Sequence, residues 1–141
     1  MTSMPYDSNN VFAKILRGEL PSVKIFEDDL TFAFMDIMPS AEGHTLVIPK
    51  ESAETIFDLS KTGASALMAT TQRVAGAVRK ALICEGVMLV QLNGAASGQS
   101  IAHVHFHIVP RSEGLDLRLH GRTKADPQIL EAIAARIRAQ L

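Results

Sequence analysis

Residues 103–107 read His-Val-His-Phe-His and run on into Ile108, Val109 and Pro110. Strict alternation of one polar residue type with apolar ones is a strand pattern, because successive side chains of an extended chain point to opposite faces. A strand over 102–109 would put His103, His105 and His107 on one face and leave Val104, Phe106 and Ile108 to be buried on the other. The chain has five histidines in 141 residues, so three on one strand face form a built surface. Neutral imidazole is a nucleophile and a general base near pH 7, and imidazolium donates to anions. Such a face points to chemistry on an anionic group, a phosphoryl centre above all.

The rest of the composition narrows the setting. The length fits one domain spanning 1–141, large enough to bury about two-thirds of its unfolded surface without a disulfide or metal. The single cysteine, Cys84, excludes an internal disulfide and reads as a small buried apolar residue. A net charge of −1 offers no field for nucleic acid. No apolar run reaches the roughly 18 residues needed to span a bilayer. Met1 to Asn10 lacks the basic-then-apolar pattern of a secretion signal. The expectation is a cytoplasmic protein without a nucleic-acid or membrane partner.

Helix and strand signals alternate along the chain. Asn9 and Asn10 can cap a short helix over 11–17, with Phe12, Ile15 and Leu16 on one side and Gly18 as its stop. Val23 to Phe26 and Leu30 to Met35 read as strands joined by Glu27-Asp28-Asp29, and His44 to Ile48 as a third. From about Ser60 to Ile83, residues Ala64, Leu67, Met68, Thr71, Val74, Ala75, Val78 and Leu82 recur at three- and four-residue steps, the stripe of one long amphipathic helix. Gly86 is its expected stop. Val87 to Gln91 is a fourth strand. Asp126-Pro127 opens a last helix over 128–140, with Ile129, Ile133, Ala134 and Ile137 on one face. This order predicts an α+β fold: about five strands, mostly antiparallel, with one long helix, a short N-terminal helix and a C-terminal helix. The core would span about 10–111, with the helix at 126–140 as an extension.

Three readings of the histidine row compete. A structural row is hard to reconcile with the cost of crowding imidazoles without partners. A zinc ion accepts imidazole nitrogen in a tetrahedral shell, but the outer two histidines lie about 13 Å apart along an extended strand. Neither a Cys-x-x-Cys pair nor a nearby acidic cluster completes such a site, so no metal is expected. A large anion fits better: His105 attacks phosphorus while its neighbours contact phosphoryl oxygens. Upstream, Asn93 to Ser100 contains Gly94, Gly98 and small residues, which let backbone N–H groups approach an anion. It lacks the Gly-Lys-Ser/Thr of a P-loop. Ser100 stands three residues before the first histidine.

These segments resemble the histidine triad (HIT) family, Hint-like branch, whose motif is His-x-His-x-His among apolar residues. The resemblance extends to Phe12 through Pro21, Glu27-Asp28-Asp29, Ala33 through Pro39, Gly43 through Lys50, Asn93-Gly94 and Gly98-Gln99-Ser100. It implies that His105 forms a nucleotidyl-histidine intermediate, His107 contacts the phosphoryl group, and His103 and His44 complete the cluster of imidazoles. Ser100 would assist leaving-group protonation, and Gly98, Gln99 and Ser100 would line the phosphate. Asp36 would bind the ribose hydroxyls, with Ile37, Phe12, Ile15 and Leu20 walling a purine pocket. Leu92 stands where relatives often carry an amide that touches the α-phosphate, and Asn93 is the expected replacement. Asn10 and Ala13 stand where some relatives have zinc-binding cysteines.

The expected activity is hydrolysis of a purine nucleoside phosphoramidate or related nucleotide at its α-phosphorus, without a cofactor. A dinucleoside polyphosphate hydrolase and a non-catalytic nucleotide-binding module are the alternatives. The family likeness also implies a homodimer with one continuous sheet.

Overall fold

The computed structural model describes residues 5–113, 121 and 123–141. The irregular stretch expected over 112–125 lies largely outside them. Along the chain come α1 (Val11–Leu16), β1 (Lys24–Glu27), β2 (Thr31–Met35), β3 (Thr45–Pro49), α2 (Lys61–Leu82), β4 (Gly86–Gln91), β5 (Phe106–Arg111) and α3 (Pro127–Arg138). The strands form one five-stranded sheet in the order β1-β2-β3-β5-β4. Every neighbouring pair is antiparallel, so the expected α+β architecture holds.

All residues of β2 and β3 are buried, because both faces of the sheet are covered. Ala33, Met35, Val47 and Ile108 turn to one face and pack with Leu67, Val74 and Val78 of α2 and with Leu130, Ile133 and Ile137 of α3. Phe32, Phe34, Leu46 and Ile48 turn to the other, where they meet Phe12, with Ile15 and Leu16 against the edge of the cluster. Pairing of Phe34 with Leu46, and of Leu46 with His107, fixes His107 on this second face. A one-residue slip would drive that imidazole into the opposite core.

Local chemistry sets the element ends. Asn10 caps α1 by accepting from the Ala13 N–H, and Gly18 takes φ +78° just past its end. Asp28 shapes the β1–β2 turn by accepting from the backbone of Leu30 and Thr31. Ser60 caps α2, and Asp126 caps α3 with Pro127 in its first turn.

Several sequence expectations are corrected. The ladder of β5 starts at Phe106, so His103 and His105 precede the strand. α2 ends where expected, at Leu82 with Ile83 as its cap, but the stop is Ile83 itself in a left-handed conformation at φ 49°, while Gly86 opens β4. Met68 is 50% exposed and Ile129 58% exposed, because the helices settle with Thr70 and Leu130 inward instead. Cys84 is only half-buried. Among the described residues, no helix is long and apolar enough to cross a membrane.

Candidate active site

Between α1 and the second sheet face lies a cleft of about 610 Å³, within the range of small-molecule sites. Its walls are mostly apolar. Phe12, Ile15, Leu20 and Ile37, all expected around a purine, line it, together with Asp36, Ser100, His105 and His107. Val11, Phe34, Leu46, Ile101 and Lys124 line it too and were missed. Phe34 and Leu46 were legible only as strand residues, because the face they occupy depends on pairing across the sheet.

The imidazoles do not form an exposed row. His103 is fully buried, and His105 and His107 are 4% and 2% exposed. His105 lies 4.9 Å, centroid to centroid, from both the Phe12 ring and the His107 ring. Its Nδ1 lies 2.7 Å from the backbone oxygen of His103. A carbonyl can only accept, so His105 carries its proton on Nδ1. In the neutral ring, Nε2 then holds the lone pair.

His107 is set by a second chain of bonds. The Ser40 backbone N–H donates to His44 Nδ1 at 3.1 Å. Neutral His44 therefore carries its proton on Nε2, which lies 2.9 Å from His107 Nδ1. His107 accepts there and holds its own proton on Nε2. The chain makes one histidine a lone-pair nitrogen and its neighbour an N–H donor, a division of labour fixed by two backbone groups. Gly43, at φ +89°, makes the turn into His44, and a Cβ there would run into the Leu82 side chain.

Asp36 stands beside this chain. Its Oδ1 accepts from the Met38 N–H at 2.8 Å, and Oδ2 lies 3.4 Å from His44 Nε2. Among the described residues, one ligand atom from each of Asp36, His44 and His107 falls within 4.8 Å of the others, close enough to hold a cation. The sequence reading weighed a metal only against the triad. The group that converges combines one triad member with residues from the β2–β3 connection.

His103 is not on the cleft wall. Its Nε2 lies 2.8 Å from the Pro49 oxygen, and Tyr6 Oη lies 2.5 Å from its Nδ1. Burial holds its pKa below the ordinary imidazole value, partly offset by the bond to Pro49. The ring is thus a neutral, fully engaged group, as a buried imidazole must be. Tyr6, the single tyrosine of the chain, drew no attention in the sequence.

The loop before the triad is built differently from the cradle expected. The amides of Ser97, Gly98 and Gln99 bond inward to the Gly94 and Ala95 oxygens. Gln99 accepts from the Gly94 N–H and donates to the Glu54 and Ile101 oxygens. Asn93 accepts from the Ile56 N–H and pairs with Gln91. Asn93, Gly98 and Gln99 therefore hold the loop together and are not brought to the cleft wall. Gly98, at φ +102°, allows the turn that delivers Ser100, exposed, to the cleft.

The site is an apolar cleft on an antiparallel α+β sheet, with one imidazole whose Nε2 holds a lone pair beside a second that donates. The HIT domain family pattern matches residues 17–114, and the chain belongs to that family. It is 40% identical over 101 residues to the adenosine 5'-monophosphoramidase of Schizosaccharomyces pombe, covering 72% of this chain and 73% of that protein. It is 35% identical over 137 residues to the Hit protein of Bacillus subtilis, covering 94% of each. A crystal structure of a Hit-like protein involved in cell-cycle regulation, from Bartonella henselae, superposes with a TM-score of 0.91 at 45% identity, covering 98% of this chain and 100% of that one.

Proposed function

We propose that the protein hydrolyses a purine nucleoside phosphoramidate, or a related nucleotide, at its α-phosphorus through a covalent intermediate on His105. The observation that carries this reading is the 2.7 Å contact between His105 Nδ1 and the His103 oxygen, which leaves the lone pair on Nε2 of a cleft-lining ring, the state a nucleophile needs. The activity named for the fission-yeast relative supports the same substrate class.

In the first step His105 Nε2 forms a bond to phosphorus as the bond from phosphorus to the leaving nitrogen breaks. The amine departs with a proton delivered through the Ser100 hydroxyl. His107 Nε2–H donates to a phosphoryl oxygen, where charge builds up in the transition state. In the second step water attacks phosphorus and gives up a proton that restores the one passed on through Ser100, the bond to His105 breaks and returns its neutral ring, and the nucleoside monophosphate leaves. Asp36 accepts from the ribose diol, and Phe12, Ile15, Leu20 and Ile37 enclose the base. Holding the reacting atoms in line contributes much of the rate enhancement in such sites. No cofactor enters this scheme. The protein acts in the cytoplasm as a homodimer, for which the sheet-edge strand β4 offers a pairing surface.

The test compares wild type with His105→Ala on adenosine phosphoramidate, diadenosine polyphosphates and AMP. The variant should lose turnover and still bind AMP. Undiminished hydrolysis by the variant refutes the assignment. Faster cleavage of the dinucleotides by wild type would move the substrate to the polyphosphate class with the same residues.

A further inference from the structure

Tyr6 lies in the segment leading into α1, remote in sequence from the triad, yet it touches the triad directly. The bonds around it have fixed directions. Asn10 Oδ1 accepts from the Ala13 N–H at 2.9 Å, which orients the amide so that Nδ2 is the atom facing Tyr6. Asn10 Nδ2 then donates to Tyr6 Oη at 2.8 Å. On the far side, the Pro49 carbonyl can only accept, so His103 carries its proton on Nε2 and its Nδ1 is bare. The Tyr6 hydroxyl therefore donates to His103 Nδ1. Burial, which favours the neutral form of His103, agrees with this assignment.

The same residue, His103, supplies the backbone oxygen that fixes the proton of His105. Its backbone lies outside the sheet ladder, which begins at Phe106. The neighbouring amide of Val104 is tied to the Ala53 oxygen, and the ring is tied at both nitrogens. The His103 carbonyl and the Val104 amide share one peptide plane, so the bond to Ala53 sets the direction of that carbonyl, and the two ring bonds hold the Cα from which it projects.

We infer that Tyr6 is a positioning residue for the nucleophile: its hydroxyl locks the His103 ring, and the locked ring, together with the Val104 amide bond, holds the carbonyl that fixes the tautomer and aim of His105. This rests on the reading of His105 as nucleophile. Because Asn10 is also the cap of α1, the device links the triad to the helix that carries Phe12, the ring packed edge-on against His105. Nucleophile and pocket wall are thereby held by one hydrogen-bonded strap.

Tyr6→Phe removes the hydroxyl and keeps the ring. On adenosine phosphoramidate, kcat should fall about 5- to 30-fold, the effect of about 1–2 kcal/mol in the barrier, with KM changed less than twofold. A merely structural tyrosine would lower the melting temperature and leave kcat unchanged, and that result overturns the inference. Imidazole nitrogen NMR provides a readout independent of turnover. In wild type, His103 should be protonated on Nε2 and His105 on Nδ1, and Tyr6→Phe should produce mixed protonation at His105. A wild-type His103 protonated on Nδ1, or His105 signals unchanged in the variant, overturns it even if another substrate proves to be the right one. Loss of turnover in His105→Ala with normal kcat in Tyr6→Phe separates failure here from failure of the catalytic assignment. Should Tyr6→Phe not fold, a wild-type His103 protonated on Nδ1 still overturns the inference.

Discussion

Replacing His44 by phenylalanine keeps a planar ring, of somewhat larger volume, and removes both of its nitrogens. His44 is fully buried, lies 2.9 Å from His107 Nδ1, and takes the Ser40 N–H at 3.1 Å. The Ser40 amide is part-buried and can turn to water, but His107 Nδ1 is left as a buried acceptor without its donor. Such a group costs about 1–3 kcal/mol. At roughly 3–4 °C per kcal/mol for a domain of this size, the melting temperature should fall by about 3–12 °C. The larger consequence is chemical. Without the His44 N–H, nothing obliges His107 to carry its proton on Nε2, and the donor facing the phosphoryl group is lost for part of the population. A hydrogen bond to a charged oxygen is worth about 1.5–3 kcal/mol, so kcat should drop roughly 10- to 150-fold. KM should change little, since the bond strengthens where charge develops. Release of AMP from adenosine phosphoramidate measures the rate, and a denaturant melt measures the stability. A folded His44→Phe with kcat within twofold of wild type refutes the proton relay.

Two further outcomes follow from local features. His103 has a pKa lowered by burial, so the unfolded chain binds its proton more readily than the fold does. Its stabilising contribution is complete above the unfolded value near 6.5 and is lost as pH falls from there toward the folded value, at no more than about 1.4 kcal/mol per pH unit. Unfolding free energy should therefore decline as pH falls below about 6.5, while nitrogen NMR shows His103 charging only below that unfolded value; a His103 that charges at or above it contradicts the assignment. Ile83 is 88% exposed and sits at φ 49°. Left-handed backbone costs a β-branched residue about 1–2 kcal/mol, so Ile83→Gly should raise the urea midpoint, and a lower midpoint would show that the end of α2 is held by other contacts.

Much of the fold was legible because period and punctuation agreed. Asn10, Asp28, Ser60 and Asp126 end or begin elements by bonds that local sequence specifies. The end of α2 was legible to within a residue, but not its cap: the left-handed position fell to Ile83, although Gly86 stood three residues further on. Helix facing was resolved only approximately, as Met68 and Ile129 show, because a stripe of alanines and threonines can turn toward a sheet as readily as its larger residues.

In the site, the triad was readable as a residue pattern, whereas Asp36 and the apolar wall followed only from the family resemblance. Their partners were not readable. Tyr6 and His103 are separated by 97 positions, and His44 and His107 by 63. Such pairs come together only once the sheet order places β3 beside β5 and the N-terminal segment beside the triad. The glycine-rich loop misled for a related reason. Small residues permit close approach to an anion, but they equally permit a turn closed on itself, and Gln99 and Asn93 complete that turn from within.

The central claim is that His105 becomes covalently nucleotidylated. Mass spectrometry of the protein quenched with acid or base during turnover of adenosine phosphoramidate tests it most directly, since the nitrogen–phosphorus bond differs in lability between the two. The account predicts an adenylyl adduct on the peptide carrying His105, absent from His105→Ala. Rapid turnover with the adduct on another residue, or with none trapped under either quench, would contradict it.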